Sequence, residues 1–142
     1  MSVQISVVVA EGIECPAYQS LGAAGVDLCI SESIHLAPLQ RACVGTGLRM
    51  AIPEGFEGQV RPRSGLASRY GLSMVNSPGT IDSDYRGEIK LILINLGGEE
   101  ILLDAGTRVG QLVICPVVQA IFRPCEALDG TLRGEGGFGS TG

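Results

Sequence analysis

The sequence predicts an all-β fold of about ten short strands with one short helix. Three observations carry that reading. Twenty-one glycines and seven prolines among 142 residues favour tight turns over long helices. Apolar residues, 45% of the chain, fall in short runs bounded by turn-forming residues. Aromatic residues make up only 4%, tryptophan is absent, and the length fits one domain with a substantial core.

Taken in order, Val3 to Ala10 reads as a first strand followed by a Gly/Pro-containing connection. Val26 to Ile30, Ala42 to Ile52 and Phe56 to Arg61 read as further strands. Glycines inside the second of these predict a bulge or close packing, and Pro53-Glu54-Gly55 marks a turn. Pro62-Arg63-Ser64 opens a helix of one or two turns that Gly71 stops, with the Ser64 hydroxyl at the expected N-cap. Leu72 to Val75, Glu88 to Leu96, Glu99 to Leu103, Arg108 to Cys115 and Val118 to Phe122 continue the strand pattern. Asn95-Leu96-Gly97-Gly98 reads as a hairpin turn. Two segments, Glu88 to Leu96 and Gln111 to Cys115, carry apolar groups on both faces, as strands in sandwiches and at subunit contacts do.

The formal charge of −5 repels polyanions and argues against a general nucleic-acid binder. Anions must be met locally. Nine of the ten basic residues are arginines, which suit bidentate capture of phosphate or carboxylate, although Arg41, Arg49 and Arg123 read as ordinary surface charge. Five cysteines without a Cys-x-x-Cys pair and a lone His35 argue against zinc. Cys29, Cys43 and Cys115 read as small buried hydrophobes in a reducing compartment. The N-terminus lacks a signal-peptide pattern and no run is long enough to cross a bilayer, which predicts an intracellular, cytoplasmic protein without a membrane partner. A mean hydropathy of +0.31 points to apolar surface hidden between subunits.

Four segments and the C-terminus carry candidate chemistry. Thr80-Ile-Asp-Ser-Asp-Tyr-Arg-Gly87 packs two carboxylates, a hydroxyl, a phenol and an arginine before an apolar strand. It reads either as a reactive turn or as an acidic hairpin tip. If it is extended, Asp82 and Asp84 share an orientation and cannot share one role. Pro62-Arg63-Ser64-Gly65 offers free N–H groups for phosphate, or only a helix cap. Ala24-Gly25-Val26-Asp27-Leu28 places an acid in an apolar strand, where a salt-bridge residue is the plainer reading. Gly106 to Gln111 puts an arginine and an amide ahead of a buried strand. Arg133-Gly-Glu-Gly-Gly-Phe-Gly-Ser-Thr-Gly142 is half glycine and cannot hold a fold alone. It reads as a frayed end or as a segment that orders around a phosphorylated ligand with a flat base.

In this fixed order the five segments closely resemble the five motifs of the trimeric dUTP pyrophosphatases, the dUTPases. The match runs from about residue 20 to the last residue. The resemblance implies a jelly-roll-like β sandwich or barrel, a homotrimer with shared active sites, and hydrolysis of dUTP to dUMP and pyrophosphate with magnesium. Such an activity keeps uracil out of DNA and supplies dUMP for dTMP synthesis. By domain, it implies a β unit over residues 1–132 and a flexible arm over 133–142 that closes the site. Since the chain ends with the fifth motif, no further tail for docking or targeting is expected.

Residue by residue, the resemblance makes Asp82 the carboxylate that activates the attacking water. Asn76, Gly79, Thr80 and Ile81 read uracil, and Tyr85 lies under the deoxyribose. Arg63, Ser64, Gly65 and Gln111 hold phosphates. Asp27 organises water near magnesium or the catalytic turn. Phe138 stacks on the base, while Arg133, Gly139, Ser140 and Thr141 close over the outer phosphates. No residue is expected to bind magnesium directly; phosphates and water carry it, with Asp27 and Gln111 beyond them. Gly110 departs from the alanine common in the fourth motif, a small-for-small change.

This chemistry agrees with the residues themselves. Attack on phosphorus needs an aligned water and charge neutralisation, and no serine, cysteine or lysine stands beside a base to form a covalent intermediate. A turn presenting N–H and C=O groups matches uracil, whereas cytosine reverses those roles. Two rival readings are a dCTP deaminase, which shares the fold, and a non-catalytic nucleotide-binding β-trimer.

Overall fold

A computed structural model describes residues 2–140 and 142. Ten strands and one helix are described: β1 (Ser6–Val9), β2 (Gly25–Cys29), β3 (Ile34–Leu36), β4 (Arg41–Ala51), β5 (Phe56–Pro62), α1 (Ser64–Tyr70), β6 (Leu72–Met74), β7 (Gly79–Ile81), β8 (Glu88–Asn95), β9 (Ile101–Leu103) and β10 (Arg108–Pro116). They form a four-stranded sheet ordered β1-β4-β8-β6, a second ordered β2-β10-β5-β7, and a β3-β9 pair. Every pairing is antiparallel. The fold is the expected all-β, jelly-roll-like sandwich. No described helix is long and apolar enough to cross a membrane.

Period-two alternation sends one face of each sheet inward. Val44, Leu48 and Met50 of β4 and Ile89, Leu91 and Leu93 of β8 meet Val26, Leu28, Val60 and Leu112 of the other sheet in one cluster. At Gly110 a Cβ would meet the Arg61 carbonyl and the Leu91 side chain at 3.4 Å, an ordinary contact, so alanine would fit there too. The sequence-expected bulge in β4 is present as a register shift between Gly45 and Arg49. Thr46 is buried beside it because its hydroxyl donates to the Ile89 carbonyl at 2.7 Å and accepts the Leu48 N–H.

Several local expectations require correction. Asn95-Leu96-Gly97-Gly98 is not a hairpin, because β8 lies between β4 and β6 while β9 pairs with β3. Here the chain leaves one sheet for another pair. Buried Asn95 holds that crossing: its Nδ2 donates to the carbonyls of Leu36 and Glu99 at 3.0 and 2.8 Å, and its Oδ1 accepts the Gly97 N–H. Val118 to Phe122 forms no strand, and Val118, Ile121 and Phe122 are exposed. The short strands β3 and β7 were not anticipated. Ser64 is the first helical residue of α1, not its N-cap; Arg63 occupies that position, without a side-chain capping bond. Gly71 ends the helix as expected, in the left-handed region with φ 69°. Cys43 is exposed and Cys29 and Cys115 are half-buried, so none of the three is a core residue.

Replacing Asn95 by Ala removes three hydrogen bonds and strands the Leu36 carbonyl in the interior, while the Glu99 carbonyl and Gly97 N–H lie nearer the surface. We expect Asn95→Ala to lower stability by about 3 kcal/mol, read as a drop in the urea midpoint at unchanged slope.

Candidate functional site

The predicted site residues fall into three groups. The first lies where β2, β10 and β5 run side by side. Asp27, Gln111 and Arg61 stand in one cross-strand row, because Gln111 pairs with both neighbours in register. Asp27, only 20% exposed, accepts from Arg63 Nε at 3.0 Å on one oxygen and faces Arg108 Nη1 at 3.4 Å on the other. Arg63 also donates to the Arg108 carbonyl at 3.1 Å. The salt-bridge reading of Asp27 is therefore present, and it aims an arginine. Gln111 Nε2 donates to the Pro62 carbonyl at 3.0 Å, beside the exposed Ser64 and Gly65 that open α1. A Cβ at position 25 would stand 2.8 Å from Gln111 Oε1, the movable end of that side chain, so Gly25 leaves the amide room to reach Pro62.

Arg108, absent from the predicted site, belongs to this group. Its signal in the sequence was its place in the Gly106–Gln111 segment; what the sequence did not show is the register that sets it opposite Cys29, two residues from Asp27. Burial pushes the Cys29 thiol up, with Arg108 opposing the shift, so this neighbour stays protonated at neutral pH.

The second group hangs on β7, an edge strand paired only with β5. Its outer edge leaves backbone donors and acceptors unpaired within the sheet. Gly79 is buried, and a Cβ there would lie 3.0 Å from Asn76 Nδ2, so the amide packs on the bare Cα. Thr80 is exposed and Ile81 half-buried. Beyond Ile81 the chain turns: the Tyr85 N–H donates to the Asp82 carbonyl at 3.1 Å. The segment is thus not extended at Asp82 and Asp84, and both carboxylates are exposed. Arg86, itself exposed, braces the turn by donating from Nη1 to the carbonyls of Ser83 and Tyr85. The Tyr85 hydroxyl donates to the Glu88 carbonyl at 2.9 Å, and its ring covers Gly87, where a Cβ would clash with it. Asp82, Ser83, Asp84 and Arg86 line a groove of about 850 Å³ with Glu54, Glu57 and Val117.

The third group is on the C-terminal segment. The Val117 N–H still donates to the Gly55 carbonyl; among the described residues, 118–140 hydrogen-bond only within the segment. Arg133 Nε donates to the Gly136 carbonyl at 2.7 Å, and Phe138, with φ 49°, is fully exposed. Gly139 and Ser140 form an adjacent turn, and Thr141 lies outside the described residues.

One chain does not bring the three groups together. In the β5–β7 pairing, Val60 faces Gly79 and Gly58 faces Ile81, so Asp82 departs beside Glu57. Arg63 lies six residues away along β5, about 20 Å at the usual strand rise. A larger groove of about 950 Å³, between the N-terminal segment and β10, contains none of the predicted site residues.

A family model described as dUTPase matches residues 11–142. The deoxyuridine 5'-triphosphate nucleotidohydrolase of Wolinella succinogenes is 58% identical over 127 residues, covering 89% of this chain and 85% of that protein. The protein of the same name from Fusobacterium nucleatum is 52% identical over 142 residues, with 99% and 97% covered. Among solved structures, Staphylococcus bacteriophage 80alpha dUTPase with dUpNHpp superposes with a TM-score of 0.91 at 25% identity, covering 99% of each chain.

A methyl group at position 25 pushes the Gln111 amide from the Pro62 carbonyl, yet that side chain can swing away. Gly25→Ala is expected to cost less than about 1.5 kcal/mol while shifting the Gln111 side-chain amide resonances, as read by NMR.

Proposed function

Because the chain belongs to the dUTPase family, we propose that it hydrolyses dUTP to dUMP and pyrophosphate at sites shared between copies in a homotrimer. The carrying observation is the separation along β5. Asp82 and the Arg63 cluster stand about 20 Å apart in one chain, too far to act on one phosphorus atom. A neighbouring copy supplies the missing half. The arm, 133–142, supports the same reading, because it covers neither group of its own chain with a hydrogen bond among the described residues.

The open edge of β7, with the Asn76 amide, offers the donor and acceptor pattern of uracil. Tyr85, fixed by its hydroxyl and by Gly87, lies flat against a deoxyribose and leaves no space for a 2′-hydroxyl. Arg63, oriented by Asp27, takes the phosphates with Ser64, Gly65 and Gln111. Asp82 takes a proton from water as its oxygen bonds to the α-phosphorus. The bond from that phosphorus to the bridging oxygen breaks, and pyrophosphate leaves. Phe138 stacks on the base, and Arg133, Gly139, Ser140 and Thr141 close over the outer phosphates and exclude water.

Among the described residues, no group of three His, Cys, Asp or Glu side chains is placed to hold a metal ion. Asp27 is already engaged by two arginines. Magnesium fits as an ion carried by phosphates and water, with Asp27 and Gln111 facing its water shell. When bound it supplies charge neutralisation for the triphosphate.

A pyrophosphate-release assay over dUTP, dTTP, dCTP and UTP, with and without magnesium, tests the activity: release from dUTP alone is expected. Ammonia from dCTP would establish the deaminase instead. Asp82→Asn is expected to bind nucleotide normally and lose about 10²–10⁴-fold in turnover; near-parental turnover refutes Asp82 as the base. Deletion after Leu132 should abolish efficient turnover and leave the trimer intact by light scattering. Dissociation on deletion would make the arm structural.

A further inference from the structure

The hydrogen bonds around the Asp82 turn lead to a side chain outside all five motifs. Arg49 stands in β4 opposite Val8 of β1 and Glu88 of β8. Its neighbours Leu48 and Met50 point into the core, so Arg49 projects from the outer face. There its Nε donates to the Arg86 carbonyl at 2.9 Å.

That carbonyl occupies a special place. β8 begins at Glu88, so Arg86 lies beyond the last residue pair of the β4–β8 ladder. The Arg49 side chain adds a rung that the backbone does not provide. Arg86 in turn grips the turn, with Nη1 on the Ser83 carbonyl at 2.6 Å and on the Tyr85 carbonyl at 2.9 Å. The chain of contacts therefore runs from the rigid centre of a sheet to the residues on either side of Asp84. Among the described residues Arg49 forms no ion pair, so its guanidinium is not committed to a competing carboxylate.

We propose that Arg49 is a positioning residue for hydrolysis and for sugar selection, an inference that rests on the reading of Asp82 and Tyr85 above. Local bonds to Arg86 shape the turn, and β7 holds its start against β5, but neither fixes its Tyr85–Gly87 end to the β4–β8 sheet. Two tethers do: the Arg49 bond to Arg86 and the Tyr85 hydroxyl on Glu88. Losing the first leaves that end of the turn held only through Gly87, the most permissive backbone residue, and through the ring that must also lie against the sugar. Asp82 then loses alignment with its water, and Tyr85 loses its fixed plane.

The test uses the full chain with Arg49→Ala, Arg49→Met, which keeps the aliphatic stem without a donor, and Arg49→Lys, which restores one. Expected for both donor-less variants are about tenfold faster amide exchange at Tyr85 and about tenfold lower kcat on dUTP. KM changes little. The preference for dUTP over UTP shrinks several-fold, and Arg49→Lys recovers most of each loss. Parental exchange at Tyr85, or an unchanged kcat and dUTP/UTP ratio, in either donor-less variant overturns the proposal. So does a lysine variant that behaves like alanine. If Asp82→Asn proves active, the base assignment falls, whereas amide exchange and sugar preference still decide the role of Arg49.

Discussion

The pairing of β7 with the far end of β5 constrains everything about how this protein can work. β5 is an interior strand whose final residues lead into Arg63 and α1, while its beginning lies against the end of β7. Since the two strands are antiparallel, the chain leaving β7 carries Asp82 away from Arg63. No rotation of side chains closes a gap of about 20 Å. Rigid sheets make the separation permanent, and chemistry that needs both groups must recruit another copy. Under the proposed trimer, the high hydropathy of the chain and the exposure of Val118, Ile121, Phe122 and Leu128 have one origin: these side chains have no partner within their own subunit.

Electrostatics follows from the same separation. A chain of charge −5 must concentrate cations where a triphosphate is to sit. Two guanidiniums brought together without compensation repel each other and take varied conformations. Asp27 resolves that conflict, accepting from Arg63 and facing Arg108 with separate oxygens. The trio retains one net positive charge and has a set geometry before any ligand arrives. Under the proposed phosphate role of Arg63, preorganisation of this kind spares the reorganisation that otherwise accompanies charge development on phosphorus.

What the sequence disclosed depended on how local each cause was. Core strands such as Ala42 to Ile52 were legible because their alternation is written in consecutive residues, and Gly71 because a helix stop needs φ above zero. The order of motifs identified the family. Gly97 misled because its need for glycine is nonlocal: a Cβ there would strike the carbonyl of Tyr70, at the end of α1. Its resemblance to a hairpin glycine was accidental. Ser64 looked like a cap, but the helix begins one residue earlier than a Ser64 cap implies: β5 ends at Pro62, Arg63 alone forms the boundary, and Ser64 is already helical. Val118 to Phe122 has strand composition without a partner strand in its own chain, and composition cannot supply one. Arg49 passed as surface charge because its contact lies 37 residues away.

The arm extends this distinction between local and supplied order. Its bonds are short-range turns, Gly134 to Thr131, Gly136 to Arg133, Ser140 to Gly137 and Gly142 to Gly139. These backbone bonds are neutral and worth about 1 kcal/mol each net; the Arg133 guanidinium adds one charge-assisted bond, to the Gly136 carbonyl. Phosphate oxygens offer the same N–H groups charge-assisted bonds of roughly twice that strength, and a base offers the exposed Phe138 ring a face. The arm thus gives up little when it leaves these turns and gains only when a nucleotide is present. Under the proposed closure, a segment too glycine-rich to fold alone is for that reason suited to order on a nucleotide and to release once pyrophosphate has gone.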